Sequence, residues 1–178
     1  MPDQDALPSL LARAHDLIPD ARQGLPDAAF QFVLKTVPMV NVDLLVRDDA
    51  GRLLLAWRED PFGTGWHVPG GIIRYREHWD QRIAAVARLE LGAMVSHGPA
   101  PVHLEQFFYE RGHFISLLFE CRLLSPPPPD RFRRPDDLAW FASMPSDMYP
   151  CQRIYERFFG GVPAGTCKGR CWRMPTQP

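Results

Sequence analysis

The sequence predicts an α/β fold in which a mixed β-sheet packs between helices. Two observations lead to this prediction. Apolar, strand-like segments occur in pairs joined by turn residues, and an uninterrupted helical stretch, Glu77–Leu91, stands between two such pairs. The resulting order of strands, helix, strands and helix is typical of a layered α/β domain. The length of 178 residues is that of one domain with appendages.

Composition and charge exclude several functional classes. Apolar residues make up 46% of the chain, and 20 Lys and Arg against 21 Asp and Glu leave a net charge of −1. This balance predicts a protein that binds neither nucleic acid nor an anionic membrane. No apolar run reaches the roughly 18 residues of a membrane span, and the acidic N-terminus is unlike a secretory signal. Four cysteines are too few for a disulfide scaffold, which favours a reducing cytoplasm.

Both ends of the chain are predicted to be appendages. Residues 1–29 form an N-terminal arm in which Leu10–Ile18 has the spacing of a short amphipathic helix between two prolines. The main domain is expected over residues 30–160. Residues 161–178 are rich in Pro, Gly and basic side chains and are expected to form a flexible tail. The tail cysteines, Cys167 and Cys171, lack a second pair of ligands, so we expect them to hold no zinc.

The strands of the main domain are predicted from alternating apolar residues and turns. Two hairpins are expected, the first formed by Val40–Val46 and Arg52–Trp57, the second by Val102–Tyr109 and Phe114–Leu124. A short strand at Trp66–Val68 ends in Pro69-Gly70-Gly71, and Pro126–Pro129 is a stiff loop. The last strand and the last helix are expected at Leu138–Ala142 and Cys151–Phe159.

The helical stretch carries a carboxylate on its apolar face. At 100° per residue, the stripe expected to face the core consists of Trp79, Ile83, Val86 and Ala87. Glu90 falls in the middle of this stripe, where an unpaired charge costs several kcal/mol. Two alternatives follow from the residues alone. Glu90 binds a metal ion, or it is neutralised by a partner such as Arg58, Arg82 or a backbone donor.

The residues around this helix resemble the Nudix box, whose pattern is G-x5-E-x7-R-E-U-x-E-E-x-G-U with U apolar. The matching positions are Gly71, Glu77, Glu90, Gly92 and Ala93. The box arginine is replaced by Ala85, and two box glutamates are replaced by Val86 and Leu89. Trp66–Gly71 precedes this degenerate box at the spacing found in the superfamily. The resemblance implies the Nudix α/β/α sandwich with a mixed β-sheet.

A longer stretch, from about residue 30 to 159, is similar to the GDP-mannose mannosyl hydrolases, a Nudix branch that also lacks these two glutamates. The segments that carry the similarity are Val33–Asp43, Gly51–Arg58, Asp136–Trp140 and Arg153–Phe159. The resemblance implies a hydrolase that uses magnesium, with manganese as the alternative, and acts on a nucleoside diphosphate sugar. In that branch water attacks the sugar carbon and the nucleoside diphosphate leaves. The resemblance to this branch, together with the amphipathic helix predicted in the N-terminal arm, also implies a homodimer.

Positions carried over from the superfamily imply the site residues. The carbonyl of Gly70 and the carboxylate of Glu90 would bind the metal ion, which prefers oxygen ligands. Arg58 would hold the leaving diphosphate with its charged fork. Asp43 would lie on the substrate side of the sheet with Lys35 as a further substrate contact, and Glu77 of the box is assigned a catalytic role. The alternatives are a surface arginine at position 58 and a core carboxylate at position 43.

Several positions depart from the mannosyl hydrolase branch. Ile72 stands where the branch has a phosphate-binding arginine, and Arg134 and Pro135 stand where it has a glutamine ligand and a histidine base. Candidates to replace the lost groups are Arg74, Arg76 and Arg88 for the cations, and Asp136 and Asp137 for the base. Two alternative functions therefore stay open: a pyrophosphohydrolase of another nucleotide, and a Nudix domain that binds a nucleotide without turnover.

Two further features have alternative interpretations. Phe107–Tyr109 is either a core segment or a surface on which a nucleobase stacks. His113 is either a base that faces the cleft or a structural histidine whose hydrogen bonds are satisfied at the end of its strand.

Overall fold

The structure is a computed structural model that describes residues 6–132 and 137–160. Its α-helices are α1 (Leu7–Asp16), α2 (Asp27–Thr36) and α3 (Trp79–Val86). A π-helical turn, Ala87–Leu91, continues α3, and 3₁₀ helices occupy Ala21–Gln23, Pro129–Phe132 and Pro150–Phe158. The strands are β1 (Met39–Val46), β2 (Leu53–Asp60), β3 (Gly63–His67), β4 (Gly70–Ile72), β5 (Val95–His97), β6 (His103–Tyr109), β7 (Gly112–Leu123) and β8 (Leu138–Phe141).

The strands form two sheets. The larger sheet has the order β4-β1-β7-β5, with β6 also paired to β7, and the smaller one has the order β3-β2-β8. The larger sheet is mixed, because β1 runs parallel to β7 while its other pairs are antiparallel. Ile83, Val86 and Ala87 of α3 and its π-helical turn pack in one apolar cluster with Val42 and Leu44 of β1. The predicted α/β fold with a mixed sheet is confirmed.

The first predicted hairpin is wrong. β1 and β2 lie in different sheets, and a single bridge between Arg47 and Leu53 joins them. The physical reason is that β4 and β7 already occupy both edges of β1. Both faces of β1 are also covered, because Leu44 and Leu45, which point to opposite faces, are buried. β1 is therefore a central strand of the larger sheet and has no free edge for β2. The second predicted hairpin is confirmed, because β6 pairs with β7.

The arm differs from the prediction in its helices. α1 begins at Leu7 instead of Leu10, since Pro8 is accommodated in the first turn, and none of its residues is buried. α2 was not predicted, and it spans the proposed boundary between residues 29 and 30. Leu34 anchors it by packing against Phe114 of β7. The tail 161–178 and residues 133–136, which include Arg134, Pro135 and Asp136, lie outside the described part of the chain.

The helical stretch begins two residues later than predicted. Glu77 is held in a turn with Arg74, and the His78 N–H donates to the Gln81 side chain, so α3 starts at Trp79. The prediction that Trp79 faces the core is met only in part, because its ring lies 5.9 Å from that of the buried Phe119 while the residue remains 41% exposed. None of the described helices is both long and apolar enough to span a membrane.

Candidate active site

β1 places polar side chains on the face of the sheet opposite α3. Asn41 and Asp43 project to this face because alternate residues of a strand share one side. Asp43 is 2% exposed and accepts hydrogen bonds at Oδ2 from the hydroxyls of Ser116 and Tyr155. Burial raises the pKa of Asp43 above its usual value, although the two hydroxyls and His67 act in the opposite direction. Asp43 is therefore a buried carboxyl group held by neutral donors.

The glycine pair lets β4 approach this carboxyl group closely. Gly70 pairs with Asp43 across the sheet, and a Cβ at Gly70 would lie 1.9 Å from Asp43 Oδ1. A Cβ at Gly71 would lie 2.9 Å from Cγ2 of Val86 in α3. Both glycines are thus required by packing, the first against the polar face and the second against the helix.

A cleft of about 230 Å³ opens above Asp43 and Gly70. Its polar floor consists of Asn41, Asp43 and Gln152, and its aromatic side is formed by Phe107, Tyr109 and Phe114. The Oδ1 atom of Asn41 is buried and has no hydrogen-bond partner in the described residues, so it is an acceptor available to a ligand. Phe107 and Tyr109 line this cleft and also pack against the buried Phe114, whereas Phe108 is 71% exposed. The segment is thus partly core and partly cleft wall.

Two arginines line the same cleft. Arg58 of β2 places its guanidinium 5.8 Å from the ring centroid of Tyr149. Arg111, from the turn between β6 and β7, lies 5.7–6.0 Å from the ring centroids of Phe30, Phe62 and Phe114. Such stacking orients a guanidinium without neutralising its charge. Sequence reasoning missed Arg111, although a cation in the turn beside an aromatic strand was the available signal.

Glu90 lies at the edge of this site with a partner that was not predicted. His67 donates from Nδ1 to the Ala56 carbonyl at 2.7 Å, so its Nε2 faces Glu90 Oε2 at 2.9 Å. Glu90 Oε1 is also 3.7 Å from Arg58 Nη2, which confirms Arg58 as a neighbour. Glu90 is 23% exposed instead of central in the core, since the π-helical turn breaks the angular phase assumed for residues 87–91.

Arg82, the other proposed partner of Glu90, bonds elsewhere. Its guanidinium donates to both carboxylate oxygens of Glu77, at 2.8 and 2.9 Å. Glu77 also accepts the N–H of Arg74. The structure therefore commits Glu77 to a pair on the outer side of α3, away from the Asp43 cleft. Arg74, Arg76 and Arg88 line the outer side as well, so the proposal that they replace the lost cations is not supported.

The remaining candidates also lie outside the Asp43 cleft. Lys35 is exposed in a separate depression, which also contains His113. The Gln106 side chain bonds to His113 at 2.7 Å. Asp137 forms an ion pair with Arg131 at 3.0 Å, so it is not a free base. Of the predicted site residues, the structure brings Asp43, Arg58 and Gly70 together, with Glu90 in contact with Arg58.

The chain was compared with known proteins. The family model described as NUDIX domain matches residues 37–148. The low-salt glycan biosynthesis protein Agl8 of Haloferax volcanii is 31% identical over 107 residues, which cover 56% of this chain and 68% of that protein. The MutT NUDIX hydrolase of Burkholderia pseudomallei is similar in structure, with a TM-score of 0.54 and 21% identity over 68% of this chain and 97% of that one. The MutT protein of Methanosarcina mazei Go1 has a TM-score of 0.55 and 18% identity, covering 69% and 94% of the two chains.

Proposed function

We propose, from the premise that this chain belongs to the Nudix family, that it hydrolyses a nucleoside diphosphate sugar and releases the nucleoside diphosphate. The observation that carries the proposal is the cleft in which Arg58 and Arg111 stand beside an aromatic wall. Paired cations suit a diphosphate, and aromatic side chains that line a cleft suit a nucleobase. The similarity to a protein named for glycan biosynthesis supports a sugar nucleotide as the small-molecule partner.

The two arginines would share the negative charge of the diphosphate. Arg111 would supply the cation that the branch carries at the position of Ile72, since both residues line the same cleft. Phe107 and Tyr109 would contact the base, because both are half-buried and line the cleft together with Arg111. The enclosed volume of about 230 Å³ holds the diphosphate and one ring, so the rest of the ligand would lie at the open mouth.

The donor atoms present fit a hard divalent cation. The candidate ligands are oxygens: the Gly70 carbonyl, the Glu90 carboxylate and the unpartnered Asn41 Oδ1. In the described residues, no three His, Cys, Asp or Glu side chains are grouped to hold an ion. Magnesium tolerates this, because it keeps several waters and takes substrate phosphate as a ligand. Bound there, magnesium, or manganese as the alternative, would neutralise charge on the leaving diphosphate.

The protein's own groups would act on the leaving group and on the attacking water. Arg58 and Arg111 would stabilise the charge that develops on the diphosphate as it leaves. Asp43 is the proposed base, because it lines the cleft and its Oδ1 lies at Gly70, while Oδ2 is held by Ser116 and Tyr155. The contacts of Glu77 support a role in positioning the loop before α3, instead of the catalytic role assigned to it from sequence.

A product assay tests the proposal. The protein is incubated in magnesium with GDP-hexoses, UDP-hexoses and plain nucleotides, and in water enriched in ¹⁸O. We expect a nucleoside diphosphate and free sugar, with the label in the sugar, and a loss of about 100-fold in rate for Arg111→Ala. The exposed Arg122 of β7 provides the control Arg122→Ala, which should keep the wild-type rate. Nucleoside monophosphate with sugar phosphate as products would show attack at phosphorus and refute the proposal.

Nucleotide binding without turnover is the second candidate function. It is favoured by the contacts of Glu90, whose carboxylate already faces Arg58 and hydrogen-bonds with His67. Calorimetry that finds nucleotide binding, combined with no product after hours in magnesium or manganese, would establish it. Turnover that is abolished by Glu90→Gln would remove it.

We also propose that the protein acts in the cytoplasm as a homodimer. Cys121 and Cys151 are both free thiols in the described residues, which supports a reducing compartment. The exposed leucines of α1 support a dimer, because Leu7, Leu10 and Leu11 are each more than half exposed.

A further inference from the structure

A second cleft, here named the arginine cleft, lies on the outer side of α3. It has a volume of about 570 Å³ and is bordered by α3, the π-helical turn, the loop 74–77 and the 3₁₀ turn of the arm. None of its lining residues also lines the Asp43 cleft. The nucleotide-sugar site therefore does not account for it.

The arginine cleft carries excess positive charge. Of its five arginines, Arg22 is paired with Asp20 and Arg82 with Glu77. The guanidinium groups of Arg74, Arg76 and Arg88 are exposed and make no ion pair with any residue that the structure describes. Three uncompensated cations around one concave surface attract an anion of several charges.

The loop that supplies two of these cations has a defined conformation. Glu77 accepts the N–H of Arg74, and the Glu77 N–H donates back to the Arg74 carbonyl. Arg76 has a φ of 56°, in the left-handed region that residues other than glycine seldom adopt. Because such a conformation costs free energy, it persists only where surrounding contacts impose it. The loop backbone therefore fixes the positions from which the side chains of Arg74 and Arg76 project.

An exposed aromatic ring lies between the cations. Tyr75 is 61% exposed, and the Arg76 guanidinium is 5.4 Å from its ring centroid. A ring and a guanidinium in this arrangement offer a planar base a surface to stack on. Ala85 has a small side chain and lines the same cleft, which leaves room for a ligand beside α3.

We propose that the arginine cleft is a second binding site, for a nucleoside di- or triphosphate. The phosphates would contact Arg74, Arg76 and Arg88, and the base would stack on Tyr75. The volume falls in the range of small-molecule sites, about 300–1,000 Å³. A long polynucleotide fits less well, because the net charge of the protein is −1.

Calorimetry with GDP and with inorganic pyrophosphate, in EDTA so that nothing is hydrolysed, tests the site. We expect wild type to bind two GDP per chain, and Arg58→Ala/Arg111→Ala to bind one. Adding Arg74→Ala and Arg88→Ala should weaken this remaining site at least about tenfold for both probes. Arg122→Ala in the same background is the matched control and should leave it unchanged. The side chains of Arg74, Arg88 and Arg122 are exposed, so their removal should not affect folding. Circular dichroism checks that each variant is folded.

The stacking contact has its own readout. Tyr75→Ala should weaken GDP about tenfold and pyrophosphate less than about twofold, because only GDP carries a base. Equal losses for the two probes would overturn the nucleotide assignment. An unchanged affinity when Arg74 and Arg88 are removed would overturn the site itself. Single-stranded RNA that binds tenfold tighter than GDP would identify a polynucleotide surface and refute the proposal.

Discussion

Glu90 is the residue at which metal binding is most directly testable. Its carboxylate faces His67 and Arg58, and a divalent ion at this point would add stability by mass action. We expect magnesium or manganese at a hundredfold excess over its dissociation constant to stabilise wild type by about 2.7 kcal/mol. Thermal melting in metal against chelator measures this. Glu90→Gln should show no shift, while the exposed Glu59→Gln should behave as wild type. Identical melting of wild type with and without metal would leave Glu90 as a structural carboxylate.

Asp43 makes stability depend on pH. Because burial raises its pKa in the folded state, folding favours the protonated form. The resulting stabilisation is complete below the ordinary Asp pKa of about 3.9 and is lost as pH rises through the raised pKa. We therefore expect the free energy of unfolding of wild type to fall relative to that of Asp43→Asn as pH rises from about 4 to 7. Urea unfolding in chelator measures it, with the exposed Asp49→Asn as control. Parallel profiles for wild type and Asp43→Asn would contradict the raised pKa.

Among the elements, β4 has a sequence that is tightly constrained by packing. A methyl group at Gly70 would meet Asp43 Oδ1 at 1.9 Å and the Val42 carbonyl at 2.9 Å, and a backbone atom cannot rotate away. We expect Gly70→Ala to cost about 3 kcal/mol of unfolding free energy, at the upper end for overpacking. Gly98→Ala is the matched control, since its nearest contact is 3.7 Å and its φ is not in the left-handed region. Equal urea midpoints for the two variants would show that β4 can move aside.

Outside the larger sheet, α3 shows how one element serves two clefts. The π-helical turn that continues it carries Arg88 toward the arginine cleft and Glu90 toward His67. The Arg131 side chain bonds the Glu90 carbonyl, and Gly92, with a φ of 63°, ends the turn as predicted. Such turns, which break the regular helix, are frequent at functional sites.

For the whole molecule, the proposed homodimer is the open question. No residue of α1 is buried, so its apolar side is available to a second copy. We expect light scattering to give twice the mass of one chain and Leu10→Glu/Leu11→Glu to give a monomer. Leu124→Glu replaces a leucine that is 66% exposed just after β7, and should remain a dimer. A monomeric mass for wild type would refute the proposed dimer, and a dimeric mass for the α1 variant would show that α1 does not form the interface.

By itself, the sequence determined the approximate positions of most strands and of α1 and α3, but not of α2, and it determined which residues surround the glycine pair. Apolar periodicity, glycine and proline act within a few residues, so this information is local. Only the tertiary structure decided that β1 pairs with β4 and β7, that His67 hydrogen-bonds with Glu90, and that Arg111 joins Arg58. It also separated Glu77 and Lys35 from the cleft that holds Asp43. The reason is physical: strand partners and side-chain contacts depend on which edges and surfaces distant segments fill, and no local pattern contains that information.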